Sequence, residues 1–173
     1  QNYLQNYPNG AFSTNANFYL ASIAFNLKEY NEALPMFEQV IASGDRKFLE
    51  ESTARKAEIE YLTENFKAAL ETFKRLNEIA ESADNKEAAS LGIMRCALKE
   101  GNQKDALAGA NQLLKNPKVS PEIANEARYV RAKAYMEMDQ ESKALADLKL
   151  ISQDTRTAQG AEAKYLLAQL YYD

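Results

Sequence analysis

Histidine and tryptophan are absent from this 173-residue chain, and cysteine occurs once, as Cys96. Without histidine, the commonest general base near neutral pH and the commonest metal ligand are both missing. One cysteine excludes an internal disulfide and any multi-cysteine metal site. Glycine and proline are sparse, at 6 and 4 residues, which argues against collagen-like or linker-rich chains. The apolar runs are short and broken by charge, so no membrane-spanning helix is expected. There is no excess of positive charge either: 21 Lys and Arg stand against 25 Asp and Glu, for a net charge of -4. A weakly acidic chain lacks the footprint of a phosphate-backbone binder, so nucleic acid is not the expected partner. The glycine turns "YPNGAF", "ASGD" and "KEGN" lack the G-x-x-x-x-G-K spacing that cradles phosphate. These absences leave no cofactor, no metal and no catalytic residue to assign, and the chain is read as not an enzyme.

What the sequence does have is an ordinary globular composition, 46% hydrophobic and 27% charged, and a repeat. An alanine followed by leucine recurs at Ala33, Ala69, Ala106 and Ala144, at spacings of 36, 37 and 38 residues. Four residues beyond each alanine stands Phe37, Phe73, Ala110 or Leu148, and three further on Val40, Leu76, Leu113 or Ile151. Apolar positions at this period share one face of a helix. Twelve residues before each anchor come Ala21, Ala57, Met94 and Ala132, three of them small enough to let a second helix approach closely. The links "LKEYN", "TENF", "KEGNQ" and "MDQES" are so short that each helix pair must be an antiparallel hairpin.

Between hairpins, Gly44 is placed to cap a helix C-terminus, and Ser120 before Pro121 to start one. "SADNKEAA" (82–89) and "SQDTRTAQG" (152–160) read as further joints, and Pro35 as tolerable near a first turn. No segment is β-rich. The expectation is one all-α domain over residues 1–173, a solenoid of nine to ten helices. It has full repeats at about 12–45, 48–83, 85–117 and 120–153 and part repeats at 1–10 and 156–173. The part repeats suggest a piece of a longer chain.

Leu20, Ala21, Tyr30, Ala33, Phe37 and Val40 in the first repeat, and Ala57, Phe66, Ala69, Phe73 and Leu76 in the second, fall on the pattern positions of the tetratricopeptide repeat. The last half-repeat matches with Leu167, Ala168 and Tyr171, so the chain resembles that family over nearly its whole length. The third repeat is degenerate, with Gly109 and Ala110 where bulk is usual. Repeats of 36 to 38 residues exceed the usual length of about 34. In this style the chain resembles the family's bacterial cell-envelope branch, which includes the Tol-Pal coordinator and the lipoprotein subunit of outer-membrane barrel assembly.

The resemblance implies a right-handed superhelix whose concave face, lined by first helices, binds a peptide or helix of a partner protein. It also implies a periplasmic or envelope-associated bacterial setting, with the cytoplasm as the alternative. Two rows of that face are apolar or aromatic: Phe18, Ala54, Leu91, Tyr129, Tyr165, and Phe25, Tyr61, Leu98, Met136, Tyr172. Such residues either anchor a partner or pack adjacent hairpins. Ser22 and Glu58 lie among them, and Arg95, Lys99 and Lys133 form either a basic patch for a carboxylate or a solvated face balanced by Glu58 and Glu137. Phe18 and Ser22 occupy the positions where some relatives carry a carboxylate clamp, so that clamp is not expected. Cys96, among Ile93, Met94, Ala97 and Leu98, reads as a buried, inert thiol. Two other readings stand beside the scaffold: a regulatory or sensory module of a larger protein, and self-association through the terminal helix.

Overall fold

The computed structural model describes residues 2–7 and 10–172. Among them are ten helices and no strand: α1 (Asn2–Asn6), α2 (Ser13–Asn26), α3 (Tyr30–Ser43), α4 (Arg46–Leu62), α5 (Phe66–Ile79), α6 (Ala83–Lys99), α7 (Gln103–Lys115), α8 (Pro121–Glu137), α9 (Glu141–Ile151) and α10 (Ala158–Tyr172). The turn expected over Pro8 and Asn9 lies outside the described residues. The chain divides into two compact units, Gln1–Ala89 and Ser90–Asp173, the division falling within α6. In the first unit α2 packs on α3, α3 on α4 and α4 on α5, while α2 also touches α4. In the second, α7 packs on α8, α8 on α9 and α9 on α10, while α8 also touches α10. Helices that meet their sequence neighbours, with first helices also touching one another, make each unit an all-α helical repeat.

Burial follows the repeat register. Ala21, Ala57, Met94 and Ala132 are fully buried in the first helices, and so are the anchors Ala33, Ala69, Ala106 and Ala144 in the second. Small side chains on both sides of a crossing let the two backbones approach. The bulky positions close the core around them: Phe37, Val40, Phe73, Leu76, Leu113, Leu148 and Ile151 are all buried. In the first unit Ala21, Ala24, Ala33, Phe37 and Ile59 form one cluster, and in the second Ala132, Ala144, Leu148, Ile151 and Ala163 form another.

The four hairpin links share one backbone device. The residue five before each anchor alanine is left-handed: Lys28 (φ 63°), Glu64 (φ 60°), Gly101 (φ 67°) and Asp139 (φ 55°). The next residue then donates its N–H back to the first helix, Glu29 to Ala24, Asn65 to Glu60, Asn102 to Ala97 and Gln140 to Tyr135, at 2.8–2.9 Å. This six-to-one bond is the Schellman cap, which ends one helix and turns the chain into the next. Only Gly101 advertises it in the sequence. The other three links hold a side chain where glycine would be less strained.

Caps expected at the joints are present. Gly44 is left-handed (φ 69°) and Ser120 accepts the Ile123 N–H at 3.3 Å. Two joints are shorter than expected, because α6 already starts at Ala83 and Gly160 lies inside α10. Pro35 sits in the second turn of α3, not the first. Its exposed ring faces outward, where the Asn31 carbonyl that loses its N–H partner is left to solvent.

The start of α6 is held from α4. The Glu50 carboxylate accepts the Asn85 side-chain N–H at 2.8 Å and the backbone N–H groups of Glu81 and Ser82 at 3.1 and 3.2 Å. These bonds, that of Asn85 foremost, lower its pKa from 4.5 to about 2. A depressed carboxylate contributes stability that is present above pH 4.5 and lost as pH falls towards 2. Because Glu50 is only half-buried, Glu50→Gln should cost about 1 kcal/mol near neutrality. The gap between the two proteins should close on acidification below about pH 4.5. Urea midpoints across that range check it, and a gap independent of pH would remove the carboxylate as its origin.

Candidate functional site

In the first unit the expected first-helix residues separate into packing and surface groups. Phe18 stacks on Phe48 with ring centroids 4.4 Å apart and meets Phe37 edge-on at 6.4 Å, so it closes the core between α2 and α4. Ser22 donates its hydroxyl back along α2 to the Phe18 carbonyl, one turn earlier, at 2.8 Å. Phe25 and Tyr61 are half-buried. Phe25 leans on Tyr30 at 5.9 Å and Tyr61 on Phe66 at 5.5 Å, which fixes both rings from beneath.

Over the Phe25 ring lies a residue that sequence reading missed, Arg55, its guanidinium 4.8 Å from the centroid. Arg55 is held in turn by Glu51 at 2.8 Å, one turn before it, and by Glu58 at 3.1 Å, one turn after. The E-x-x-x-R-x-x-E spacing on α4 was visible in the sequence, but the aromatic floor from α2 was not. These side chains are 39–48% exposed, so each ion pair contributes only a few tenths of a kcal/mol. Their effect is orientation. The cation is held over a ring between two carboxylates, with part of the guanidinium open to a ligand.

In the second unit the cations read either as a basic patch or as a balanced face are largely neutralised. Arg95 on α6 makes a bidentate pair with Glu126 on α8, both bonds at 2.7 Å. Lys133 on α8 approaches Glu162 on α10 at 3.6 Å and lies 5.4 Å from the Tyr129 ring centroid. Each cation therefore ties one first helix to the next. The counterions are Glu126 and Glu162 rather than the expected Glu58 and Glu137. Glu58 serves Arg55, and Glu137 accepts from the Gln103 amide. Lys99 is exposed.

Burial raises the pKa of the Tyr129 phenol, and Glu162 adds to this against the opposing effect of Lys133. For Lys133, burial works towards a lower pKa, but Tyr129 and Glu162 outweigh it and leave the ammonium raised. Tyr129 thus stays a neutral phenol and Lys133 a cation.

Tyr165 and Tyr172 are largely exposed on α10, at 63% and 92%. Cys96 is buried. Among the described residues no group of three or more His, Cys, Asp or Glu is placed to hold a metal ion. No described helix is long and apolar enough to cross a membrane. No protein-family model matches the sequence. Nor does any curated protein.

Proposed function

We propose that this chain is a non-catalytic protein-binding module of tetratricopeptide type, which receives a partner's peptide or helix on its first helices. The observation that carries the reading is the Phe25–Arg55 platform, with Tyr61 on the same helix as the arginine. A half-buried aromatic floor, a pinned arginine and a polar rim are the composition of binding hot spots. Carboxylates at Glu51 and Glu58 favour a ligand with a basic or amide-rich face over one with clustered acids. Most of the first two repeats' family-like positions, among them Ala21, Ala33, Phe37, Ala57, Ala69 and Leu76, are buried, and the spacing style supports a place in a bacterial envelope-associated assembly, in the periplasm.

A random-peptide library displayed on phage and panned on the chain tests this reading. Selected peptides should bind Arg55→Ala at least about tenfold more weakly by calorimetry, a loss of about 1.4 kcal/mol. A Phe25→Ser, Tyr61→Ser variant should lose binding altogether. Arg55 lies outside the core, so its variant isolates recognition from folding, and circular dichroism monitors the other. Selection of no peptide, or binding indifferent to Arg55, would overturn the assignment.

A further inference from the structure

Three arginines on the first helices pair with carboxylates, and they do so in two ways. Arg95 and Arg131 each turn Nε and Nη2 onto a single carboxylate, Glu126 and Asp147, and engage both of its oxygens. Arg55 is divided between two carboxylates instead. Its Nε donates to Glu51 Oε1 at 2.8 Å and its Nη1 to Glu58 Oε2 at 3.1 Å. Among the described residues, Arg55 Nη2 donates to none, and Glu51 Oε2 and Glu58 Oε1 accept from none. The unmet groups form a row along two turns of α4, acceptors at its ends and donors between them. The Phe25 ring of α2 holds the guanidinium from beneath, so the row is set before any ligand arrives.

That row discriminates among the side chains a peptide can offer. A carboxylate brings acceptors only and faces two glutamates, in a triad that is net negative. An ammonium or guanidinium brings donors only and leaves Nη2 unpaired beside a like charge. An aliphatic side chain meets neither need and would strip water from three polar groups. A primary carboxamide brings both kinds of group. Its carbonyl oxygen can accept from Nη2 while its N–H donates to the unused oxygen of Glu51 or Glu58.

We propose that Glu51, Arg55 and Glu58 form a carboxamide-recognition site, which takes an asparagine or glutamine side chain of the bound peptide. The inference rests on the peptide-binding reading above and names the group at its centre. At the position of Arg55 the other full repeats carry Tyr19, Gly92 and Val130, so the site belongs to the second repeat alone. It therefore reads one residue of the peptide and sets its register.

Peptides from the phage selection that lose affinity on Arg55→Ala should share one asparagine or glutamine. One such peptide, synthesised with that carboxamide or with Glu or Lys in its place, is then titrated by calorimetry. The carboxamide form should bind at least about tenfold more tightly than either charged form. Glu51→Gln with Glu58→Gln makes the triad net positive, and this variant should prefer the Glu form. Both side chains are about half exposed, so the fold is expected to be unchanged, and circular dichroism checks that it is. Arg55-dependent peptides with no shared carboxamide would overturn the carboxamide site and leave the binding reading standing. So would equal binding of the carboxamide and Glu forms, or a preference unmoved in the double variant. Selection of no peptide, or binding indifferent to Arg55, would overturn both.

Discussion

Replacing Arg131 by methionine should cost the second unit about 3–5 kcal/mol, among the largest losses available to a single surface-reaching side chain in this fold. The Arg131 guanidinium on α8 grips Asp147 on α9 through two bonds of 2.7 and 2.8 Å and reaches Asn111 on α7 at 3.0 Å. Asp147 is only 3% exposed. Once its partner is gone, water cannot reach the carboxylate, and the unpaired buried charge sets the cost. Arg95–Glu126 has equally short bonds, but its side chains are 39% and 28% exposed. Breaking it should cost about 1 kcal/mol. Burial, not bond length, separates the two pairs.

The pair's existence need not be worth what its rupture costs. Arg131→Met together with Asp147→Leu removes both charges and should recover to within about 1 kcal/mol of the parent. Arg131→Lys keeps the charge but loses the fork that serves Asp147 and Asn111 at once, and should fall between. Urea unfolding followed through tyrosine signals reads all three. If Arg131→Met alone cost under about 1 kcal/mol, Asp147 would have to find water, and the buried pair would behave like a surface one.

Neither this pair nor Arg95–Glu126 was legible as a partnership in the sequence, and the reason is geometric. Repeat spacing shows which residues share a helix face, so the fully buried Ala21, Ala33, Ala57 and Ala69 could be found by counting. Counting also located Gly44 and Ser120, because caps are local. A contact between two helices, within a hairpin for Arg131–Asp147 or between successive first helices for Arg95–Glu126, depends on how one is staggered against the other, which period alone does not fix. For Arg95 and Lys133 the sequence therefore offered the wrong counterions, Glu58 and Glu137, and for Arg55 it offered no sign of the Phe25 ring beneath it. The left-handed residues at Lys28, Glu64 and Asp139 were hidden differently. Lys28 and Glu64 carry no turn signal and Asp139 only the modest left-handed preference of aspartate, while the Schellman bonds are made by backbone that any residue supplies.

Gly109 was visible only as a departure, a glycine and Ala110 where other repeats carry bulk. It is buried in the middle of α7, and a Cβ there would lie 2.8 Å from both the Met94 amide nitrogen and the Ser90 carbonyl oxygen, and 3.0 Å from the Met94 Cβ. Two of those three atoms are backbone, so the clash cannot be relieved by turning a rotamer. The third repeat compensates for its large first-helix residue, Met94, with an absent side chain on the helix facing it. Helix propensity alone says that alanine at this position should stabilise by about 1 kcal/mol. The contact reverses the sign. Gly109→Ala should destabilise by about 2 kcal/mol and Gly109→Val by about 3, as α7 is pushed off α6. Its neighbour Ala108 is exposed on the same helix, so Ala108→Gly should follow propensity and cost about 1 kcal/mol. Denaturant midpoints of the three variants separate the two effects. Stabilisation by Gly109→Ala would mean that α6 can yield, and that the glycine is a gap in the repeat rather than the reason its two helices meet.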